Sequence, residues 1–576
     1  MSRTKNLGPT SLGRPVSRRS LLRASGLAGS GLIASAFVGC GDDDDDDVVE
    51  TPTTAGAETA TVKTGGEVHQ GWNVTTKIWN PYETSSSIGH HYTMITDTLV
   101  RLNPETMAPE PAVVEGWEIV QPGLEYVLKV RQGVKWHDKK PTNGRTLTAE
   151  DVAYTLRVGA GLQDPANAAK IVRASSYRGL DKVEVTSPTT VKLSFTSPNS
   201  AILNAMGDWR QYVIPVEMPD QLPWTDPATF PGVGPFVCNE YRDGERISYT
   251  AFKEHWDQPY PYVDRVTTQA YGDRASMVAA MISGDIDTLA NVLGVAERKP
   301  LEANNNVDLV NYPYRVYQAM FINSARPALQ DPKIWKAFQL ITDYKGTNDA
   351  VSGDGLWNYT GPFLSVFSQA TQPDQIAKMP GFNPATKDQD IAEAKKLMEA
   401  AGHKDGQGLS LVFTPSAADG EHFDVAVRFQ AQAKKVFPEM KLDLVPAPDA
   451  ASFQRSLVDR SYDLATYLVY EASDPRLALN SSWYSTSNRN YGNNKNSRFD
   501  ALVDKSFTVE GEEAVAAMKD AEKVLLEDGY PMVMMKAYIQ SFAVNKRMTG
   551  YQGKVGPGTA GAISDNYRVS RFMHLK

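Results

Sequence analysis

The sequence predicts a mixed α/β protein, and three observations carry that prediction. Segments with the two-residue period of strands alternate along the chain with segments of helical period, without an internal repeat. Several of the helical segments have recognisable ends, and one pair of strand-like segments is joined by a hairpin turn. The 576 residues are enough for two or three domains with sizeable cores.

The first clear elements lie before residue 160. Leu124 to Arg131 alternates between apolar and polar residues, which is typical of a strand with one buried face. Thr148 then precedes Ala149-Glu150-Asp151-Val152. A threonine followed by two acidic residues predicts a helix that begins with an N-cap at Thr148 and carries acids in its first turn.

A hairpin is predicted in the middle of the chain. Phe236 to Tyr241 and Arg246 to Phe252 both read as strands, and they flank Asp243-Gly244. Asp-Gly adopts the positive φ angles of a tight hairpin turn at little cost. This dipeptide is the strongest short hairpin signal in the sequence.

Two further helices are predicted from their ends. Met277 to Ile282 has a helical pattern that ends at Gly284. Asp388 to Ala401 places its apolar residues on one face and stops at Gly402. Glycine after the last turn is the preferred C-terminal cap of a helix, so both boundaries are well defined.

The N-terminus has the layout of an export signal. Residues 1–23 contain six Lys or Arg and no acid, including the paired arginines within Ser17 to Arg23. Ala24 to Val38 is a run of small and apolar residues. It is shorter than the roughly 20 residues that span a bilayer core. A basic segment before a short apolar segment indicates a signal peptide, and the paired arginines indicate the twin-arginine route.

The end of that segment, Phe37-Val38-Gly39-Cys40, resembles the lipobox of bacterial lipoproteins. The resemblance implies that residues 1–39 are removed and that the sulfur of Cys40 carries the lipid. Asp42 to Asp47 repel one another and have nothing to bury, so we expect residues 40–62 to form a disordered acidic tether. The body would then be extracytoplasmic, lipid-anchored to the outer face of the cytoplasmic membrane, on the periplasmic side or at the cell surface.

Composition argues against several functions. The whole chain has net charge −9, although its first 40 residues contribute six positive charges, so the rest is acidic and offers no basic field for nucleic acid. There is no P-loop lysine motif, no His-Glu-x-x-His and no nucleophile elbow, so we expect neither an enzyme nor a cofactor. His90 and His91 are adjacent and lack a further nearby ligand, so we expect no metal site.

Many blocks of the body, in order, resemble the extracellular solute-binding proteins of family 5, the oligopeptide, dipeptide and nickel group of ATP-driven (ABC) importers. Lys139 departs from the family pattern, which has glycine there, and Tyr344 stands where arginine is usual. The blocks that carry the resemblance are Thr98 to Thr106, Pro111 to Trp117, Leu128 to Asp138, Leu147 to Val152, Gly232 to Phe236, His255-Trp256, Met281 to Asp287, Phe321 to Asn323, Asp331 to Asp343 and Ala394 to Gly402.

The resemblance implies an α/β, two-lobed periplasmic-binding-protein fold of type II, with an extra inserted domain and a ligand cleft between lobes joined by a hinge. Lobe I would comprise residues 63–98, 214–315 and 540–576, the inserted domain 99–213, and lobe II 316–539. The protein would be a monomer that captures oligopeptides or similar small solutes by hinge closure and delivers them to ABC permease subunits.

The family also implies where a ligand binds. In peptide-binding members, a carboxylate of the second lobe meets the α-amino group of the peptide, while first-lobe residues pair with its backbone. Asp474 matches the acidic position best, with Glu471 close behind; alternatively, Asp474 only opens a turn before Pro475. The aromatic candidates for pocket walls could also be ordinary core residues. The expected ligand-binding residues are Ser85, Ser86, Tyr470, Glu471, Asp474, Trp483 and Tyr491.

One departure bears on the ligand. Dipeptide binders hold the ligand carboxylate with an arginine after the late helix, but Leu409 to Val427 contains no arginine or lysine and carries Glu421 and His422. Longer peptides, or a neutral or cationic ligand, therefore fit better at that point. Two alternatives stay open: an oligosaccharide- or other solute-binding protein of the same family, and an exported hydrolase with cleft carboxylates as acid and base.

Overall fold

A computed structural model describes most of the body. The described residues are 63–72, 79–80, 82, 89–103, 107–208, 210–218, 226–291, 293–353, 355–416, 420–472, 474–550 and 574–575. The predicted signal peptide, Cys40, the acidic tether, Ser85 and Ser86 lie outside them. Within these ranges, no helix is both long enough and apolar enough to cross a membrane.

Strands and helices alternate along the chain, as the sequence predicts. The strands are β1 (Glu67–Trp72), β2 (Val100–Leu102), β3 (Pro109–Pro111), β4 (Val114–Gln121), β5 (Glu125–Val130), β6 (Leu180–Ser187), β7 (Thr190–Phe195), β8 (Phe236–Arg242), β9 (Arg246–Ala251), β10 (Arg265–Ala270), β11 (Thr288–Asn291), β12 (Val307–Ile322), β13 (Trp357–Asn358), β14 (Ser410–Pro415), β15 (Lys441–Leu444), β16 (Leu464–Tyr470), β17 (Met532–Asn545), β18 (Met548–Thr549) and β19 (His574–Leu575). The helices are α1 (Gly89–Ile95), α2 (Ala149–Gly159), α3 (Ile202–Met206), α4 (Arg274–Ser283), α5 (Val295–Glu302), α6 (Pro332–Ile341), α7 (Tyr344–Val351), α8 (Pro373–Ile376), α9 (Lys387–Ala400), α10 (Gly420–Val436), α11 (Ala450–Asp459), α12 (Pro475–Trp483), α13 (Ser497–Thr508) and α14 (Gly511–Asp528).

The largest sheet runs in the order β15-β14-β16-β12-β17-β11-β1-β10-β9-β8, and β13 pairs with β17. At one end β14 is parallel to both β15 and β16, and at the other β1 is parallel to both β10 and β11. Between them β12 and β17 are antiparallel, with 16 and 14 residues. Because these two strands are so long, each takes part in both halves of the sheet.

The pairing of β12 with β17 is interrupted near its middle. Val307–Pro313 pairs with the C-terminal part of β17, next to β11, and Tyr317–Phe321 pairs with its N-terminal part, next to β16. The register shifts between Pro313 and Tyr317. Proline has no N–H for the ladder, and a shift of this kind bends the strands. The two halves of the sheet therefore meet at an irregular segment.

A second sheet is built from residues of the predicted inserted domain. Its strands run in the order β4-β5-β7-β6 and are antiparallel throughout. Helix α2 contacts β6 and β7. Its N-cap is the predicted Thr148, which accepts from the backbone N–H of Asp151, while the Asp151 carboxylate accepts from the backbone N–H of Thr148. Arg145 adds a two-pronged ion pair to Asp151 at 2.7 and 2.8 Å.

The other sequence-predicted elements are confirmed within a residue or a few. The hairpin is formed by β8 and β9, and Gly244 in its turn has φ +71°. Helix α4 begins three residues before the predicted start and ends at Gly284, which has φ +85°. Helix α9 starts one residue before Asp388, and Gly402 follows its C-cap. Local turn and cap chemistry therefore fixed these boundaries.

A buried glutamate joins α14 to the loop before α8. The Glu522 carboxylate accepts from the backbone N–H and the hydroxyl of Thr371, both at 2.9 Å, and its side chain is buried. Burial raises the pKa of Glu522 to about 7. The native state therefore keeps a proton on Glu522 at pH values where the unfolded chain has lost it.

We predict that this proton makes the protein less stable as pH rises from about 4.5 to about 7. The native state binds more protons than the unfolded state in that window, which lowers the free energy of unfolding by about 3 kcal/mol across it. Glu522→Gln should remove most of this loss in melting curves recorded at pH 5 and pH 8. Glu513→Gln, an exposed position of the same helix, is the control. An unchanged pH dependence in Glu522→Gln would contradict the assignment.

Candidate functional site

Three separate parts of the chain converge on the end of β16. Arg173 comes from the predicted inserted domain, Arg489 from the loop after α12, and Tyr470 is the last residue of β16. Arg173 Nη2 donates to the backbone carbonyl of Tyr470 at 3.1 Å, and Arg489 Nη2 donates to the same oxygen at 2.9 Å. Arg489 Nη1 also donates to Ser481 Oγ at 3.0 Å. Two buried guanidinium groups therefore share one acceptor.

Glu471, a predicted ligand-binding residue, lies directly beside this carbonyl. Its backbone N–H donates to the carbonyl of Arg315 on β12 at 2.9 Å, which ties β16 to the middle of the large sheet. Ser482 Oγ donates to Glu471 Oε1 at 2.6 Å. Oε2 is buried and makes no hydrogen bond with the described part of the chain. Burial raises the pKa of Glu471, although Arg489 and Arg173 oppose that effect.

A second carboxylate lies on the other side of Arg173. Asp208 Oδ2 is 3.8 Å from Arg173 Nε, and Asp208 Oδ1 is 3.6 Å from Arg210 Nη1. Burial works to raise the pKa of Asp208, but Arg173 and Arg210 outweigh it and lower that pKa. The guanidinium of Arg210 lies 5.6 Å from the centre of the Tyr470 ring, a cation–π contact.

Buried charges of both signs lie close together in this cluster. Among the described residues, its guanidinium groups outnumber its carboxylates. Burial, together with Arg489 and Arg210, lowers the pKa of Arg173. Arginine nevertheless keeps its proton in proteins, so the burial of Arg173 costs electrostatic energy that Asp208 and Glu471 partly offset. The charged members of the cluster are Arg173, Arg210, Arg315, Arg489, Asp208 and Glu471.

Polar contacts link α12 to the predicted inserted domain next to the cluster. Arg178 Nη1 donates to Asn480 Oδ1 at 3.3 Å, and Asn480 Nδ2 donates to the carbonyl of Ser175 at 3.2 Å. Arg476 Nη1 donates to Ser200 Oγ at 2.6 Å. These contacts hold the two parts of the chain together around Tyr470 and Glu471.

Asp474, the acidic residue that best matched the family position, is the N-cap of α12. Its Oδ1 accepts from the backbone N–H of Arg476 at 2.8 Å, and its two oxygens accept from Arg476 Nε and Nη2 at 3.1 and 2.9 Å. Both carboxylate oxygens are thus engaged within the first turn of their own helix. A ligand-binding role for Asp474 stays a prediction.

The three predicted aromatic residues lie in different surroundings. Tyr470 is half-buried and meets the Tyr314 ring edge-on, with 6.1 Å between centroids. Trp483 is 1 % exposed and packs against Tyr530. The half-buried Tyr491 lies 5.2 Å from the Phe321 ring. Tyr470 contacts Arg210 of the charge cluster through its ring, and the side chain of Tyr491 interacts with Arg489. The pocket-wall roles stay predictions.

A buried lysine from another part of the chain contacts the segment Leu409 to Val427, which has no arginine or lysine of its own. Lys536 on β17 is fully buried and pairs with Glu421 at the start of α10, and it also donates to Ser352. Tyr538 OH donates to the same Glu421 oxygen at 3.0 Å. The segment that lacks arginine and lysine therefore receives its positive charge from a residue 115 positions away.

The second histidine of the His90-His91 pair is a buried packing residue. His91 Nδ1 is 2.7 Å from Tyr249 OH, and its ring contacts Trp72 edge-on. No group of three or more His, Cys, Asp or Glu side chains that could hold a metal ion occurs among the described residues.

The fold is that of a two-lobed binding protein. The chain belongs to the bacterial extracellular solute-binding proteins of family 5, whose middle-region pattern matches residues 108–491. The predicted family and fold class are thereby confirmed.

Individual relatives are distant. The glutathione-binding protein GsiB of Salmonella typhimurium is 25 % identical over 306 residues, which are 53 % of this chain and 55 % of that protein. The chain therefore matches about half the length of this relative. The oligopeptide-binding protein AppA of Bacillus subtilis is 25 % identical over 421 residues, 68 % of this chain and 72 % of that one. The structure of Helicobacter pylori DppA with the peptide STSA shares the fold, with TM-score 0.74 and 18 % identity. The match covers 89 % of this chain and 98 % of that one.

We predict that Glu421→Gln destabilises the protein by about 3 kcal/mol, because it leaves the charge of Lys536 buried without its carboxylate. The double variant Glu421→Gln, Lys536→Met should recover most of this loss in urea denaturation. Glu393→Gln, which removes an exposed pair with Lys396, should cost about 0.5 kcal/mol or less. A double variant as unstable as Glu421→Gln alone would show that the buried charge is not the cause.

Proposed function

We propose that this chain is the substrate-binding lipoprotein of an ABC importer, which captures peptides outside the cytoplasmic membrane and passes them to permease subunits. Proteins of family 5 are transport components rather than enzymes, which supports a receptor over the exported hydrolase. The observation that carries the proposal is the buried Glu471, which keeps one carboxylate oxygen unshared in a charged cluster where three parts of a family-5 fold meet.

Glu471 Oε2 suits the terminal ammonium group of a peptide. A carboxylate that accepts from an ammonium forms a charge-assisted hydrogen bond, which is stronger than a neutral one. Asp474 is less available to a ligand ammonium group, because both of its carboxylate oxygens already accept from Arg476. The charged surroundings also favour a ligand with a charged head over an uncharged sugar. AppA is named as an oligopeptide-binding protein, and DppA was solved with a peptide, which supports the same class of ligand.

Closure would occur about β12 and β17. We place the hinge at the register shift between Pro313 and Tyr317, which coincides with the lobe boundary expected from the sequence at residue 315. A ligand that touches both lobes stabilises the closed state over the open one. The contacts of Asn480 and Arg476 with Ser175 and Ser200 would form on closure and be lost on opening.

The division into lobe I (63–98, 214–315 and 540–576), inserted domain (99–213) and lobe II (316–539) is part of this proposal. So are lipidation of Cys40, export by the twin-arginine route and anchoring to the outer face of the cytoplasmic membrane, which rest on the sequence alone. The proposed ligand contacts also include four residues expected from the sequence: Ser85, Ser86, Trp483 and Tyr491.

We predict that trialanine binds this protein stoichiometrically and that Glu471→Gln weakens its binding at least about tenfold. The loss corresponds to the roughly 1.5–3 kcal/mol of a hydrogen bond to a charged group. Isothermal titration calorimetry gives the affinities. Asp474→Asn, a second buried carboxylate three residues away, is the matched control and should change the affinity less than threefold.

Acetylation of the trialanine amine should weaken its binding to the wild-type protein about as much as Glu471→Gln weakens the binding of trialanine. If Asp474→Asn abolished binding while Glu471→Gln left it intact, the amine site would belong to Asp474. If peptides of all lengths failed to raise the melting temperature while oligosaccharides raised it, the peptide proposal would be wrong. Recovery of hydrolysed peptide would instead favour an enzyme.

We predict that Cys40→Ser abolishes incorporation of radiolabelled palmitate in the native host and releases the protein from membranes. The only other cysteine, Cys238, is buried in β8, so Cys238→Ser should keep the label and serves as the control. Undiminished labelling of Cys40→Ser would refute the anchor.

A further inference from the structure

One arginine of the predicted inserted domain fits into a socket on another part of the chain. The socket consists of Asn480, Tyr484, Asp504 and Phe507, which come from α12, its C-cap and α13. The guanidinium carbon of Arg178 lies 4.7 Å from the centre of the Phe507 ring and 5.2 Å from that of Tyr484. Arg178 Nη1 donates to Asn480 Oδ1 at 3.3 Å, and Nη2 donates to Asp504. Arg178 thus combines cation–π contacts, a hydrogen bond and an ion pair.

The socket is held in shape by contacts that do not involve Arg178. Tyr484 OH donates to both oxygens of the Asp504 carboxylate, at 3.0 and 3.2 Å. The backbone N–H of Ser485 donates to Asp500 Oδ1 at 3.1 Å, which ties the end of α12 to α13. Phe507 is 1 % exposed and belongs to the hydrophobic core. The socket is therefore organised in advance for a guanidinium group.

The backbone that carries Arg178 is also fixed. The buried Asn199 donates through Nδ2 to the carbonyl of Arg178 at 3.2 Å and to that of Ser176 at 3.1 Å. Gly179 has φ +75°, and a Cβ at this position would lie 2.5 Å from Ser197 Oγ. This close approach leaves the turn little room to shift. Because plug and socket are both organised, their contact costs little conformational entropy.

The predicted inserted domain is bound firmly to the proposed lobe I. Arg101 and Arg131 of that domain both lie over the ring of Trp256, with their guanidinium carbons 4.4 and 4.5 Å from its centre. Arg101 also pairs with Asp257. These two parts would therefore move together, while the socket belongs to the proposed lobe II. Opening of the proposed hinge would withdraw Arg178 from its socket.

We propose that Arg178 and its socket form a latch that stabilises the closed state whether or not a ligand is present. This inference rests on the proposed hinge closure, and it adds that part of the binding affinity comes from contacts within the protein. None of the latch residues is among those assigned to the ligand. The latch therefore raises the affinity for every ligand by the same factor, because it shifts the equilibrium between open and closed protein and leaves the ligand contacts unchanged.

Two peptides of different length test this inference. Calorimetric titration of the full chain with trialanine and tetraalanine should show that Arg178→Gln weakens the binding of both by the same factor, about five- to tenfold, as expected for a partly exposed ion pair with cation–π contacts. Release of trialanine in stopped-flow displacement should accelerate by a similar factor, because the latch must open before the ligand leaves. Arg157→Gln is the control and should change neither affinity, because its partner Glu150 lies in the same helix, α2.

A second variant shows whether the ion pair acts as a unit. Asp504→Asn should also weaken the binding of both peptides, and the double variant Arg178→Gln, Asp504→Asn should weaken it little more than Arg178→Gln alone. The side chains of Arg178 and Asp504 are 19 % and 46 % exposed, so we expect both variants to fold, which circular dichroism verifies. Losses that add fully in the double variant would overturn the latch.

Small-angle X-ray scattering of the ligand-free protein tests the latch without any peptide. The radius of gyration should be larger for Arg178→Gln than for the wild-type protein, because fewer molecules are closed. Equal radii together with unchanged peptide affinities would overturn the latch and leave the peptide proposal standing. A larger radius in the variant, with no binding of either peptide to the wild-type protein, would support the latch and refute the peptide proposal. Unequal losses for the two peptides would place Arg178 against the ligand and overturn the latch.

Discussion

Two buried guanidinium groups that share the carbonyl of Tyr470 join the separate parts of the chain that form the candidate site. Arg173 and Arg489 reach this oxygen from different parts of the chain, and neither is exposed by more than 6 %. Buried charges are costly unless they are paired and hydrogen-bonded. Glu471 and Asp208 supply part of this compensation, because both carboxylates interact with Arg173.

The proposed ligand site and the proposed hinge share residues, so ligand binding and lobe movement would be physically coupled. The backbone N–H of Glu471 bonds to the carbonyl of Arg315, and Arg315 lies inside the register shift between Pro313 and Tyr317. Any bend of β12 at this point therefore moves the anchor of Glu471. A ligand held by Glu471 would therefore bias the proposed hinge directly, without a longer chain of intermediate contacts.

Sequence patterns predicted what depends on neighbours along the chain. The Thr148 cap, the Asp243-Gly244 hairpin and the end of α4 at Gly284 are determined by a few adjacent residues, and each was found where expected. The α/β class followed from the same patterns, and the two-lobed fold from the order of the family blocks. The alternative for Asp474 was that it opens a turn before Pro475; the structure has it there as the N-cap of the helix that begins at Pro475, where it accepts from the backbone N–H of Arg476. These features need no knowledge of tertiary contacts.

The charged cluster could not be predicted from neighbours along the chain. Glu471 was expected from the family segment, but Arg173 lies 297 residues away from Tyr470 and has no local pattern that marks it. Arg489 is one polar residue among serines and asparagines, and Lys536 sits inside an apolar strand. A lysine in a run such as Met534-Met535-Lys536-Ala537 is a signal of a buried charge, yet it does not reveal the partner. Those partners are set by sheet order, which the sequence alone did not specify.

A crystal structure of the protein with trialanine bound would locate the head of the ligand. We expect the ligand amine within hydrogen-bond distance of Glu471 Oε2, between β16 and the segment that carries Arg173. A ligand whose amine lies elsewhere, with Glu471 still bonded to Ser482 alone, would contradict it.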